Sequence, residues 1–216
     1  MPGAEVLETE RLKMRGHRLD DFAACAAMWA DPVVTRYFGG KALTEEEAWT
    51  RFLRYAGHWS LLGFGYWAVE EKATGNFIGE IGFADYKRDI ESSLKHLPEI
   101  GWVLASGSHG KGYATEAVRA AIAWGDRYFR ADQTTCIVNP ENLRSIRVAE
   151  KCGYREFQRT TYKGQPSIVY VRARPNEGVT RMDFRPRWGR RSSEREFPAV
   201  AGTRTIGRDD DTSGSA

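Results

Sequence analysis

The sequence lacks several features that would place it in a well-defined class of protein. None of its apolar runs approaches the roughly 20 residues of a membrane-spanning helix, and its charged N-terminal stretch has no apolar signal-peptide core. It has three cysteines, Cys25, Cys136 and Cys152, at spacings typical of neither a metal site nor a disulfide framework. We therefore expect a cytoplasmic protein that binds no metal and keeps its cysteines as reduced core residues.

A strong excess of charge of one sign is also missing from most of the chain. Residues 172–216 hold ten arginines and seven acids, which leaves 22 basic and 22 acidic residues in 1–171. Because nucleic-acid binders present a basic surface, this neutral body predicts no nucleic-acid partner. The C-terminal stretch combines Pro, Gly, Ser and Arg with few periodic apolar positions. We expect one folded domain over 1–174 and a basic, disordered tail over 175–216.

Hydrophobic residues make up 41% of the 216 residues, which is typical of a globular protein. Along the chain, segments with the apolar/polar alternation of a strand are interspersed with segments of helical periodicity. The first of them predicts a strand over Val6–Met14. Thr44 and Glu47 form a capping box that opens a helix, and the spacing predicts an inward face of Trp49, Phe52, Leu53 and Ala56. Residues 85–98 are polar and irregular, as in a surface loop. The order of elements predicts an α+β fold with a largely antiparallel sheet flanked by helices.

Residues 99–115 read E-I-G-W-V-L-A-S-G-S-H-G-K-G-Y-A-T, a β-like run, a glycine-rich turn and the start of an amphipathic helix. The free N–H groups at a helix N-terminus bind phosphate, and glycine lets the backbone approach it closely. The spacing excludes two familiar loops. A P-loop needs Ser or Thr after Lys111 and a glycine six residues before it, where the chain has Gly112 and Ala105. The dinucleotide fingerprint needs Gly or Ala where Thr115 stands.

Three motifs in order resemble the GNAT acetyltransferase superfamily, most closely its ribosomal-protein N-terminal acetyltransferases. They are L-E-T-E-R-L-K-M-R at residues 7–15, E-I-G-W-V-L with H-G-K-G-Y-A-T-E-A, and N-P-E-N-L-R-S-I-R-V-A-E-K-C-G-Y at 139–154. The resemblance covers residues 7 to about 174. It implies a strand pair that splays apart to hold acetyl-CoA.

By this resemblance the glycine-rich turn binds the CoA pyrophosphate, and a backbone N–H near Leu104 binds the thioester carbonyl and stabilises its oxyanion. Lys111 either adds positive charge or is a solvated loop lysine. The cofactor-binding residues so predicted are Leu104, Ala105, His109, Gly110, Lys111, Gly112, Tyr113, Ala114, Thr115 and Asn142.

Asn142 and Ser145 match residues that have a role in the family, and for each of them a second interpretation remains open. The family's Asn hydrogen-bonds the pantetheine arm, while a plain helix N-cap would select the same residue. Many members carry a Tyr seven residues after this Asn, where the chain has Ala149. Ser145 then becomes the candidate proton donor to the CoA thiolate, although it could equally only hydrogen-bond backbone or cofactor.

Two acids are candidates for removing the proton from an attacking ammonium. Glu99 begins the core strand, where the resemblance brings substrate and thioester together, and we predict that it is the general base. Glu80 stands in the apolar run F-I-G-E-I-G-F, where an isolated acid is expected to face solvent.

The sequence thus predicts a metal-free, acetyl-CoA-dependent N-acetyltransferase. Its acceptor is a peptide N-terminus or a small-molecule amine, attacked directly in a ternary complex by a monomer or homodimer. Two alternatives remain: an acyl-CoA-binding module without catalysis, which the missing Tyr would suit, and an RNA-associated factor acting through the arginine-rich tail.

Overall fold

A computed structural model describes residues 3–90 and 97–175, and the predicted tail lies almost wholly outside this part of the chain. The strands are β1 (Leu7–Glu8), β2 (Leu12–Arg15), β3 (Tyr66–Glu71), β4 (Phe77–Ala84), β5 (Glu99–Leu104), β6 (Gln133–Val138), β7 (Arg155–Tyr162) and β8 (Gln165–Ala173). The helices are α1 (Phe22–Ala30), α2 (Pro32–Thr35), α3 (Glu45–Leu62), α4 (Tyr113–Tyr128) and α5 (Leu143–Lys151). No helix among the described residues is long and apolar enough to cross a membrane.

The strands form one eight-stranded sheet in the order β1-β2-β3-β4-β5-β6-β8-β7. Every neighbouring pair is antiparallel except β5 and β6, which are parallel. The predicted α+β class with a largely antiparallel sheet is therefore confirmed.

Helices cover the two faces of the sheet with different chemistry. The α4 face carries the larger apolar core, in which Trp67, Phe83, Ile100 and Trp124 are buried. On the other face, α1 and α3 pack over a smaller apolar cluster that includes Val103 of β5. Because side chains alternate along a strand, those of Glu99 and Val103 point to the α1/α3 face, and Gly101 between them leaves space on that face.

The predicted single strand over Val6–Met14 is wrong, since this segment is the two-stranded hairpin β1–β2. Thr9 interrupts it: its N–H donates to the Leu12 carbonyl at 2.9 Å, and its Oγ1 accepts from the Leu12 N–H at 3.0 Å. A side chain that bonds the backbone three residues away closes a tight turn. Periodicity could not reveal this turn, because the apolar alternation runs straight through it.

The capping box at the start of α3 is confirmed, as Thr44 Oγ1 accepts from the Glu47 N–H at 3.2 Å and Glu47 accepts from the Thr44 N–H at 2.8 Å. The inward face of α3 is only partly as predicted. Phe52 is buried and Trp49 half-buried, but Leu53 is 49% exposed and Ala56 is also exposed. Ala48 and Tyr55 take the buried positions, and the Tyr55 ring stacks on His17 and on Tyr66.

Candidate active site

The parallel strands β5 and β6 form a wedge. Among the described residues their one registered pair is Glu99 with Thr135, and the Thr135 N–H donates to the Pro98 carbonyl at 3.0 Å. Beyond that pair the ladder between them ends. We call this closed end the apex of the wedge.

The open edge of β5 presents amide donors to the wedge. Ala105 donates its N–H to the Ile78 carbonyl on the β4 side at 2.9 Å. Since the direction of N–H groups alternates along an antiparallel strand, those of Trp102 and Leu104 point away from β4 and into the wedge. The predicted Leu104 donor thus faces the wedge, whereas the Ala105 amide is committed to β4.

At the wide end of the wedge lies the glycine-rich turn. Gly110 and Gly112 have φ of +79° and +83°, a left-handed conformation that strains other residues. Gly112 is the N-cap of α4 and offers no side-chain acceptor, and the first intrahelical bond runs from the Glu116 N–H to its carbonyl at 3.2 Å. The amides of Tyr113, Ala114 and Thr115 therefore have no intrahelical partner, and such donors bind phosphate.

His109 ties this turn to the strand before it, because its Nε2 lies 2.9 Å from the Leu104 carbonyl oxygen. The preceding residues Ser106–Ser108 form a 3-10 turn, and the Asp31 carboxylate accepts a hydrogen bond from Ser106 that helps to lower the pKa of Asp31. The segment leading to the glycines is thus held by two contacts, one with the Leu104 carbonyl and one with the Asp31 carboxylate. The side chain of Lys111 lies 5.8 Å from the centre of the Tyr113 ring.

Arg11 is a residue that sequence reasoning missed at this end of the wedge. Its Nη1 donates to the Lys111 carbonyl at 3.0 Å and its Nε to Glu116 Oε2 at 2.7 Å. The Arg11 N–H and the Thr9 hydroxyl both donate to Glu116 Oε1. Burial would raise the pKa of Glu116, but these donors outweigh it and lower that pKa. The only signal was the L-E-T-E-R-L motif, which says nothing of a contact 105 residues along the chain.

The opposite wall of the wedge is β6, and helix α5 comes next after β6 in the chain. Asn142 is its N-cap, as predicted, and Asn142 Oδ1 accepts from the Ser145 N–H at 3.1 Å, which leaves the amide NH₂ of Asn142 for another partner. Ser145 is half-buried. Ala149, in the place of the family's Tyr, is fully buried in the α4-side core.

A cavity of about 200 Å³, which we call the apex pocket, lies beside the apex on the α1/α3 face. Its walls are Ala84, Asp85, Tyr86, Lys87, Arg88, Asp89, Ile90, Leu97, Glu99, Thr135, Ile137 and Val169. The segment from 85 to 90, predicted as part of a plain surface loop, therefore supplies half of this pocket.

Glu99 and Arg88 form a two-pronged ion pair in the apex pocket. Arg88 Nε donates to Glu99 Oε2 and Nη2 to Oε1, each at 2.6 Å. The guanidinium carbon lies 4.7 Å from the ring centres of both Tyr86 and Tyr162, so the group is held between two aromatic faces. In such a pair each carboxylate oxygen accepts one hydrogen bond from the guanidinium.

Glu80 does not face solvent, contrary to the expectation from its sequence context. It is fully buried on the α1/α3 face, where its carboxylate accepts from Cys25 Sγ and Trp29 Nε1 at 3.0 Å and lies 3.2 Å from His17 Nε2. Burial raises its pKa, but these partners outweigh burial and lower it. The Glu80 carboxylate is thus contacted by three side chains below α1, which indicates a structural role.

The family model described as an acetyltransferase (GNAT) domain matches residues 11–155. The chain belongs to the GNAT acetyltransferase family. This membership makes the protein an acetyl-CoA-dependent acyltransferase of the N-acetyltransferase kind. A curated relative agrees: p20 of Bacillus licheniformis, named an uncharacterized N-acetyltransferase, is 29% identical over 174 residues, 77% of this chain and 94% of its own.

Solved GNAT structures resemble the fold of this chain. An acetyltransferase from Agrobacterium tumefaciens is 27% identical with a TM-score of 0.67, over 79% of this chain and 95% of its own. Aminoglycoside acetyltransferase AAC(6′)-Ib in complex with coenzyme A is 20% identical with a TM-score of 0.64, over 76% and 95% of the two chains. The ribosomal-protein-S5-alanine acetyltransferase of Vibrio fischeri is 18% identical with a TM-score of 0.61, over 80% and 98%. The last two likenesses show the fold alone.

Along β5, the predicted GNAT site residues fall into two separate groups. The glycine-rich turn, His109 and Leu104 lie at the wide end, while Glu99 lies at the apex. Glu99 and Leu104 are five positions apart on the strand, roughly 16 Å, and Glu99 and Trp102 are three positions apart, roughly 10 Å. Of the two amides that face the wedge, that of Trp102 is therefore the nearer to the apex pocket.

Proposed function

We propose that this GNAT enzyme acetylates a primary amine bound in the apex pocket, with acetyl-CoA lying in the wedge between β5 and β6. The observation that carries the proposal is the position of the pocket, which adjoins the closed end of the wedge and contains Glu99. A cofactor entering from the glycine-rich turn would direct its acyl end to that apex. The free thiols of the three cysteines suit the cytoplasmic location proposed from the sequence.

In this proposal, the groups at the wide end bind the phosphates. The unpaired amides of Tyr113, Ala114 and Thr115 donate to the pyrophosphate, and the left-handed glycines let it approach the backbone. Lys111 adds positive charge beside it. His109 keeps the turn against Leu104, and the NH₂ of Asn142 and the N–H of Leu104 hydrogen-bond the pantetheine arm.

Bound acetyl-CoA supplies the thioester whose carbonyl carbon the amine attacks. We assign the N–H of Trp102, in place of that of Leu104, to the negative charge that develops on the carbonyl oxygen, because the Trp102 amide faces the wedge nearer to the apex. Donors of this kind contribute roughly 2.7–4 kcal/mol to the transition state in other enzymes.

Glu99 is the proposed base. When the substrate ammonium displaces Arg88 from one carboxylate oxygen, Glu99 takes a proton from it and frees the nitrogen lone pair. Ser145 is the proposed proton donor to the CoA thiolate. The transfer is direct, since no described side chain is arranged as an activated nucleophile in the wedge.

The acceptor class follows from neither the fold nor the family. The structural relatives named above include an aminoglycoside acetyltransferase and a ribosomal-protein alanine acetyltransferase. We propose either a small-molecule amine or a peptide N-terminus, and the latter is the acceptor of the branch that the sequence resembles.

The test is release of free CoA thiol from acetyl-CoA with a panel of amines and short peptides. We expect release that depends on one acceptor class and a kcat roughly 10²- to 10⁴-fold lower in Glu99→Gln. Glu150→Gln, an exposed change on α5, is the matched control and should keep wild-type rates. A Glu99→Gln rate within about twofold of wild type would exclude Glu99 as the base.

A further inference from the structure

The apex pocket already contains an ion pair before any substrate binds. The side chains of Arg88 and Glu99 are 23% and 12% exposed, so both charges are largely removed from water. Among the residues that the structure describes, the other charges lining the pocket are on Asp85, Lys87 and Asp89. Asp85 is paired with Lys87, whose side chain is 73% exposed, and Asp89 is exposed. Apolar Ala84, Leu97, Ile137 and Val169 form much of the remaining wall.

An amine carrying only positive charge would be a poor ligand for this pocket. To reach Glu99 it must displace Arg88, and the guanidinium would then remain sheltered from water without its carboxylate. Removing one partner of a buried pair is costly because the other charge is left uncompensated. Arg88 cannot readily swing into solvent, since Tyr86 and Tyr162 hold it on both faces.

An amine that also carries a carboxylate avoids this cost. Its ammonium replaces Arg88 at Glu99, and its carboxylate replaces Glu99 at Arg88, so each buried charge exchanges one partner for another. The planar guanidinium suits a carboxylate bound through two parallel hydrogen bonds. The aromatic faces already hold it in one orientation, so little conformational entropy is lost on binding.

We propose that the acceptor is a small zwitterionic amine of the amino-acid class, with its carboxylate on Arg88 and its amino group on Glu99. This inference rests on the proposed function. The volume of about 200 Å³ agrees with it, because sites for larger ligands usually span about 300–1,000 Å³. It departs from a peptide N-terminus, whose α-carbonyl carries no charge.

The reaction balances with these groups. The ammonium gives one proton to Glu99, and its lone pair forms the C–N bond to the acetyl carbon. The C–S bond breaks and its electron pair leaves with the CoA sulfur. Ser145 gives its hydroxyl proton to that thiolate and takes the second nitrogen proton in return. The amide keeps the third hydrogen, and Glu99 returns its proton to solvent.

The experiment measures acetyl-CoA-dependent thiol release with the common amino acids, each beside its carboxamide and its decarboxylated amine. We expect kcat/KM for the best amino acid to exceed that of its carboxamide about 100-fold, since only the acid pairs with Arg88. In Arg88→Met this ratio should fall to about one, and Arg88→Lys should restore part of it. Arg54→Met is the matched control: Arg54 stacks on Tyr86 at 5.2 Å but does not line the pocket.

The dissociation constant for CoA and the thermal unfolding of Arg88→Met verify that this variant is folded and binds cofactor. Carboxamides or decarboxylated amines that react as well as the acids would overturn the zwitterion proposal and leave the proposed N-acetyltransferase intact. Thiol release with peptides alone would do the same. Absence of acceptor-dependent release with every amine and peptide would overturn both proposals.

Discussion

At the scale of single residues, Gly101 leaves room for the Tyr66 side chain beside the apex pocket. A Cβ at this position would lie 1.9 Å from the Tyr66 hydroxyl oxygen. Tyr66 is buried, stacks on Tyr55 at 4.8 Å and donates a hydrogen bond to Tyr86, a wall of the pocket. The absence of a side chain at Gly101 thus lets a tyrosine from β3 reach across β4 to the site.

We expect Gly101→Ala to lower the free energy of unfolding by about 1–3 kcal/mol, as overpacking does in other cores. It should also reduce amine turnover, because Tyr66 can move only by disturbing Tyr86. Urea denaturation and the thiol-release assay measure the two effects. Gly107→Ala is the control, since its Cβ would meet nothing within 4 Å. Equal stabilities for the two variants would show that Tyr66 relocates freely.

At the scale of elements, the β1–β2 turn braces the start of α4 through Arg11 and Glu116. The Arg11 side chain is 43% exposed, so its pairing with Glu116 by itself adds little to stability. The position of Arg11 matters more for the proposed phosphate site than for stability. Arg11 neutralises a carboxylate in the helix turn where phosphates are proposed to bind, and it fixes the Lys111 carbonyl within the glycine-rich turn.

We expect Arg11→Met to weaken CoA binding about tenfold, or about 1.4 kcal/mol, because Glu116 would then repel the phosphates. Adding Glu116→Gln should recover part of this loss by removing the repelling charge. Isothermal titration with CoA measures both variants, and Arg127→Met in the last turn of α4 is the control. Unchanged affinity in Arg11→Met would refute the electrostatic role.

At the scale of the whole molecule, buried ionisable groups predict how stability depends on pH. Burial raises the pKa of Asp21, but hydrogen bonds from Arg15 and the Arg18 backbone outweigh burial and lower that pKa. The hydrogen-bond partners of Glu80 lower its pKa in the same way. Stability from a lowered carboxyl pKa is present above the unfolded-state value and is lost as pH falls through the folded-state value. Burial raises the pKa of Cys136 and of Tyr66, so their contributions are lost at alkaline pH.

We therefore expect Tm to be highest between about pH 4.5 and 8.5, the range between unfolded carboxyl and thiol values, and to fall on both sides. Circular dichroism melts from pH 3 to 10 measure this profile. A Tm that stays constant from pH 5 down to pH 3 would contradict the carboxylate contribution.

Local chemistry in the sequence determined much of the fold and part of the site. The capping box of α3, the Asn142 N-cap, the glycine-rich turn and most strand boundaries follow from residues a few positions apart, whose interactions depend on backbone geometry alone. The order of these elements, together with the family resemblance, was enough to predict the sheet and the placement of the turn at the start of α4.

Only the tertiary structure decided which distant residues share an environment. Thr9 and Arg11 contact Glu116, Glu80 is buried among groups from α1 and the chain before it, and Arg88 is held between Tyr86 and Tyr162 against Glu99. Periodicity reports the burial of a face and cannot report its partners. Charged side chains depend most on that missing information, because whether a carboxylate is solvated, paired or poised as a base is set by groups brought to it by folding.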